Sequence, residues 1–149
     1  MKYLTFRDAG VFHGHMGPFL ALGYAAGRIA VLALKPESEF DLLAEIYIPL
    51  KRPYSCVIDG VQCSTKCTLG KLNLKVHAVN EIISFIFRNV KRGNSIRLKV
   101  RDYVIRRLLG FSKNTEGLSW LLEQTVYSVF EGDIPFKNIR LGEVLGFEE

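Results

Sequence analysis

Apolar and polar positions fall along this chain in two kinds of block, and the blocks predict an ordered series of elements. From Pro18 to Leu34 the residues are almost continuously apolar, with a proline suited to a first helical turn and Lys35-Pro36 as a stop, which predicts a long helix. Ala44–Ile48 alternates and carries β-formers, so it predicts a strand. A short helix is expected over Tyr54–Lys66, ahead of Gly70. Leu74–Val79 reads as a strand. Ile82–Val90 and Ser95–Arg101 read as a β-hairpin about Lys91-Arg92-Gly93-Asn94. Asp102–Gly110 predicts a short helix. Thr115–Phe130 predicts a stronger one, capped at Thr115-Glu116 and ended by Gly132-Asp133. Asp8-Ala9-Gly10 reads as a turn. The tail from Ile134 is expected to dock through Phe136, Ile139, Leu141, Val144 and Phe147.

Strands and helices do not alternate strictly in this order. The expected class is therefore α+β, a mixed or antiparallel sheet packed against helices. A length of 149 residues fits one domain spanning 1–149, long enough to bury a core. Gly23, Ala26, Gly27 and Ala30 make a smooth face at helical spacing. With the apolar hairpin, that face suggests self-association as a homodimer.

Composition narrows the class further. Hydrophobic content of 48% with 23% charged residues fits an ordinary soluble domain. The net charge of +5 gathers at Lys91-Arg92, Arg97-Lys99-Arg101 and Arg106-Arg107. No aromatic interleaving accompanies it, so a solvated face is expected rather than a nucleic-acid surface. The apolar segment Gly17–Leu34 carries Arg28 near its middle and reads as a buried helix, not a membrane span. Three cysteines, an odd number, with no signal-peptide pattern ahead of them, point to a reducing cytoplasm with free thiols.

The candidate chemistry lies in two stretches. Phe12-His13-Gly14-His15-Met16-Gly17-Pro18 puts two imidazoles just before a helix N-terminus, where backbone N–H groups favour an anion. Cys56 and Cys63 are seven residues apart, and Cys63 and Cys67 four apart, along one helical stripe that includes Asp59. Histidine nitrogen and cysteine thiolate suit zinc or a similar divalent transition metal. The expected ligands are His13, His15 and Cys67, with Cys63 or Cys56 as a further thiolate. Asp59 or Gln62 would orient a ligand from behind. Lys71, after the Gly70 turn, is placed to meet an anionic group. The same residue types also fit thiol catalysis by Cys67 activated by His15. His77, in a strand, reads as structural.

Both stretches resemble the N-terminal FmdE-like domain of the formylmethanofuran dehydrogenase family. That family carries Phe-His-Gly-His-x-Cys-Pro-Gly before a small-residue helix, then Cys-x-x-Asp-Ala-Ile-Gln running into Gly-Cys-Thr-x-Gly-Lys-Gly-Asn. The matching residues here are Phe12, His13, Gly14, His15 and Pro18, then Cys56, Asp59, Gln62, Cys67, Thr68, Gly70, Lys71 and Asn73. The resemblance implies an α+β fold of the FwdE/GAPDH-domain-like kind, a homodimer, and zinc near the His-x-His and cysteine residues. It also implies a link to the molybdenum or tungsten enzyme that makes formylmethanofuran. Three departures stand out. The family's cysteine after His-x-His is Gly17, the glycine before the second motif's last cysteine is Lys66, and no Cys-x-x-Cys pair of a C-terminal zinc ribbon follows residue 67. Cys63 is the candidate to compensate for the lost thiolate.

The leading expectation is a metal-binding protein with an accessory or catalytic role in one-carbon metabolism around a molybdopterin-type enzyme. The alternative is a non-catalytic binding or assembly module with structural thiols and a degenerate metal site.

Overall fold

The computed structural model describes residues 1–146. Among them seven helices and five strands form an α+β fold: α1 (Phe6–His13), α2 (Pro18–Leu34), β1 (Leu42–Ile48), α3 (Cys56–Thr65), β2 (Leu74–Ala78), β3 (Ser84–Asn89), β4 (Asn94–Val100), α4 (Asp102–Gly110), α5 (Asn114–Glu123), α6 (Val126–Val129), β5 (Phe130–Gly132) and α7 (Leu141–Val144). The sheet order is β2-β1-β3-β4-β5, with β1 and β2 parallel and the other pairs antiparallel.

Alternation decides which way the sheet faces. Leu42, Ala44, Ile46 and Ile48 of β1, Phe85 and Phe87 of β3, and Leu98 and Val100 of β4 all point to one buried side. The long helix α2 packs against that side. It is apolar all round because it is covered all round: by α3 and α1 and by the sheet, with α5 and α7 over its remaining flank. The other side of the sheet is polar and faces water. There Lys99 pairs with Glu131, Arg101 with Glu131, and Arg88 with Glu45. His77 stacks on Tyr47 with centroids 4.6 Å apart and meets Glu45 at 3.2 Å, the structural role expected of it.

The small-residue face of α2 is used within the chain. A Cβ at Gly23 would lie 2.0 Å from the Val57 carbonyl oxygen, and one at Gly27 would lie 2.1 Å from Ser64 Oγ. Gly60 of α3 returns the approach, since its Cβ would lie 2.3 Å from the Leu20 oxygen. The two backbones touch along this seam, so the face is closed to a second copy.

Three boundaries differ from the sequence expectation. Asp8-Ala9-Gly10 lies inside α1, because Thr5 and Asp8 form a reciprocal capping box that starts a helix there. The expected helix Thr115–Phe130 breaks after Glu123; Phe130 is drawn into β5, paired with Val100. Its cap is Lys113, not Thr115. The tail docks through buried Leu141 and Val144, while Ile139 is exposed and Phe147 lies outside the described residues. No described helix is long and apolar enough to cross a membrane.

Candidate metal centre

Helix α1 ends at His13, and Gly14 turns the chain at φ 111°, a left-handed conformation that glycine adopts without steric cost. The chain folds back so that the Met16 side chain fills the space over Gly10, where a Cβ would lie 2.4 Å from Met16 Cγ. The turn brings the ring of His15 beside that of His13, with centroids 4.9 Å apart.

The second motif supplies the support behind His13. His13 Nδ1 lies 2.6 Å from Asp59 Oδ2. Gln62 Nε2 donates to Asp59 Oδ1 at 3.2 Å, and Gln62 Oε1 accepts from the Leu69 backbone N–H at 3.0 Å. Asp59 and Gln62 are three apart on α3, so one helical face holds both. The result is a chain of hydrogen bonds running from the backbone after α3 to one imidazole. A carboxylate can only accept, so the 2.6 Å contact puts a proton on His13 Nδ1 and leaves His13 Nε2 as the outward nitrogen. That nitrogen is buried and has no hydrogen-bond partner.

The cysteines stand elsewhere. Cys67 lies beyond the end of α3, fully buried, with its thiol donating to the Leu42 carbonyl at 3.4 Å. Burial is the main cause that pushes its pKa up, against hydrogen bonding from Thr65 and the Lys71 charge. Burial and then the Asp59 charge raise Cys63 to about 11 and also raise Cys56. These shifts favour the protonated thiol at neutral pH. Among the described residues, no three of His, Cys, Asp and Glu converge as a ready metal cage. Lys71 turns inward on its own loop, with Nζ 3.2 Å from Thr68 Oγ1. Asn73 ties the same loop by accepting from the Thr68 N–H and donating to the Glu39 carbonyl.

Both motif departures have a structural place. A Cβ at Gly17 would lie 3.3 Å from His15 Nε2, so a cysteine at that position would carry its sulfur beside the imidazole pair. Lys66 has φ 65° at the end of α3, a left-handed cap that glycine adopts more easily. The structure also brings in a residue that sequence reasoning missed: the Gly17 Cβ would meet Asn114 Cγ at 3.8 Å, so Asn114 borders the same spot from α5. Nothing in the spacing of the chain marks an asparagine so far downstream.

One orphaned ring nitrogen, a carboxylate fixing its opposite nitrogen, and a second imidazole alongside fit a borderline metal ion held by nitrogen. They provide two protein donors, fewer than a closed structural zinc site uses.

The model of the FmdE family, described as "Molybdenum formylmethanofuran dehydrogenase operon", matches residues 12–126. Among curated proteins, the chain is 29% identical over 136 residues to a probable S-adenosyl-L-methionine-binding protein of Archaeoglobus fulgidus. That match takes in 80% of this chain and spans 37% of the relative's length.

Proposed function

As a member of the FmdE family, to which this chain belongs, the protein is one that we propose binds a zinc-like divalent metal through His13 Nε2 and His15. The observation that carries this reading is the buried, unpartnered His13 Nε2 opposite a 2.6 Å Nδ1–Asp59 contact. A bound metal would act there as a Lewis acid with coordination positions left open. The chain's own residues do the positioning. Asp59 holds the proton on His13 Nδ1, Gln62 fixes Asp59, and the Leu69 N–H fixes Gln62. Cys67 reaches such a metal only by leaving the Leu42 carbonyl, so we assign it to packing rather than to nucleophilic attack.

The family description ties the domain to formylmethanofuran dehydrogenase, and we read the role as accessory to one-carbon chemistry of that kind in the cytoplasm. S-adenosylmethionine binding is stated of a relative more than twice as long, and nothing in the histidine site favours it. A second reading, an assembly module, draws support from the exposed apolar residues Val11, Phe12 and Met16 around the histidines. A larger enzyme or a second copy seated there would cover them and could add the missing ligand. That surface replaces the closed face of α2 in the homodimer proposal.

The test is elemental analysis of protein purified without chelator, wild type beside His13→Ala. Near-stoichiometric metal in the wild type, lost in the variant, is the expected result. No metal in the wild type after anaerobic reconstitution would overturn the first reading. Co-purification of a partner that Val11→Ser and Phe12→Ser abolish would then favour the second.

A further inference from the structure

A groove of about 530 Å³ opens at the other end of α1 from the histidines. Eight helical residues separate the two places, about 12 Å at 1.5 Å per residue. The volume suits a small-molecule ligand.

The groove's chemistry is one-sided. Lys2, Arg7 and Arg28 line it, no described carboxylate does, and Tyr3, Leu4, Phe6, Tyr24 and Leu145 supply the walls. The nearest acid on α1, Asp8, is engaged in the Thr5 capping box. Arg28 is the unusual member. It is the one charge in the seventeen-residue apolar helix α2 and is half-buried. Among the described residues it makes no ion pair or hydrogen bond. A guanidinium withdrawn from water without a partner is costly, and an apolar residue would suit α2 better. Tyr3 stands close by: burial and then Cys67 push its hydroxyl pKa up, and the Arg28 charge draws it back. The Tyr24 hydroxyl is spent on the Leu4 carbonyl at 2.6 Å, so it offers its ring rather than a donor.

We propose that this groove binds a small organic oxyanion, a carboxylate or phosphate on an apolar or aromatic body, with Arg28 as the anchor. The planar fork of Arg28 matches either oxyanion, Lys2 and Arg7 add positive charge at the rim, and the body lies against Leu4, Phe6, Tyr24 and Leu145. The site is separate from the histidines and does not rest on the metal-binding reading.

The experiment is calorimetric titration of the full chain with benzoate, phenyl phosphate and benzylamine, on the wild type and on Arg28→Met. Benzoate or phenyl phosphate is expected to bind, and the tighter of the two identifies the oxyanion. Benzylamine is expected not to bind. Arg28→Met is expected to weaken the anion roughly tenfold or more, since a charge-assisted hydrogen bond is lost. It should leave the metal content unchanged and the fold as stable as before or more so. Binding of benzylamine as tight as that of benzoate, absence of binding by both anions at millimolar concentration, or an Arg28→Met variant that binds as the wild type does would each overturn the proposal.

Discussion

Helix α3 presents Gly60 and Ser64 to α2 on one side, and Asp59 and Gln62 to the histidine turn on the other. On the first side the chain uses small residues to let backbones touch, and nothing polar is aimed anywhere. On the second side hydrogen bonds hold one ring in one orientation while leaving its far nitrogen buried and unpartnered. Volume governs the first side and proton placement governs the second. The same ten-residue helix thus fixes the fold and the site, but substitutions on its two sides should fail in different ways.

The largest effect is expected at the seam. Gly23→Ala would drive a Cβ to 2.0 Å from a backbone oxygen, and neither backbone has room to yield. We expect a loss of about 3 kcal/mol in urea unfolding, the upper range of overpacking. A loss below about 1 kcal/mol would mean that the two helices are free to separate. On the site side, Asp59→Asn should leave the fold intact. It should weaken metal affinity roughly 10- to 100-fold, because the proton on His13 Nδ1 is no longer held by a carboxylate. Zinc titration of the two proteins would check it.

Gly17→Cys sharpens the comparison. The Gly17 backbone is extended, so a side chain there carries no conformational strain, and its sulfur would join the histidines. Competition with a zinc chelator should show tighter binding than in the wild type; unchanged affinity would disconnect Gly17 from the site. A smaller effect is expected at the end of the helix. Lys66→Gly relieves a left-handed non-glycine residue and should add roughly 0.5–1 kcal/mol to stability in urea unfolding.

Cys63 gives a pH dependence with a definite sign. Its pKa is raised in the fold to about 11 from an ordinary value of 9.0, so the unfolded chain releases its proton first. Stability should be steady below the unfolded value and fall as pH rises from about 9 to 11. Urea midpoints across that range would check it, and Cys63→Ala should flatten the fall.

Much of the architecture is legible in the chain itself. Strand alternation at Phe85, Phe87, Ile96 and Leu98 gives the hairpin, and Pro18 and Lys35-Pro36 bracket α2. The capping box of Thr5 and Asp8 was also open to reading, but Gly10 masks it as a turn until Met16 is seen to fill the space above. The break at Gln124 could not be read locally. Helical period continues through Val126 and Val129, and only pairing with Val100 draws Phe130 into the sheet.

The candidate site divides in the same way. The residue types and their motif order single out His13, His15, Asp59 and Gln62, and the fold brings these together. Which thiol joins them cannot be read from helical spacing, because Cys67 lies past the left-handed Lys66 and its thiol meets the Leu42 carbonyl instead. Spacing along α2 identifies a smooth face but not its occupant, and that occupant is α3 rather than another copy.

The central claim is that Asp59 holds His13 in the form whose Nε2 is free to bind a metal. Nitrogen-15 NMR of the imidazoles, before and after one equivalent of zinc, tests it most directly. The account predicts a proton on His13 Nδ1 in the metal-free protein and a large shift of Nε2 alone on adding zinc. A proton found on Nε2, or an Nε2 resonance indifferent to zinc, would contradict it.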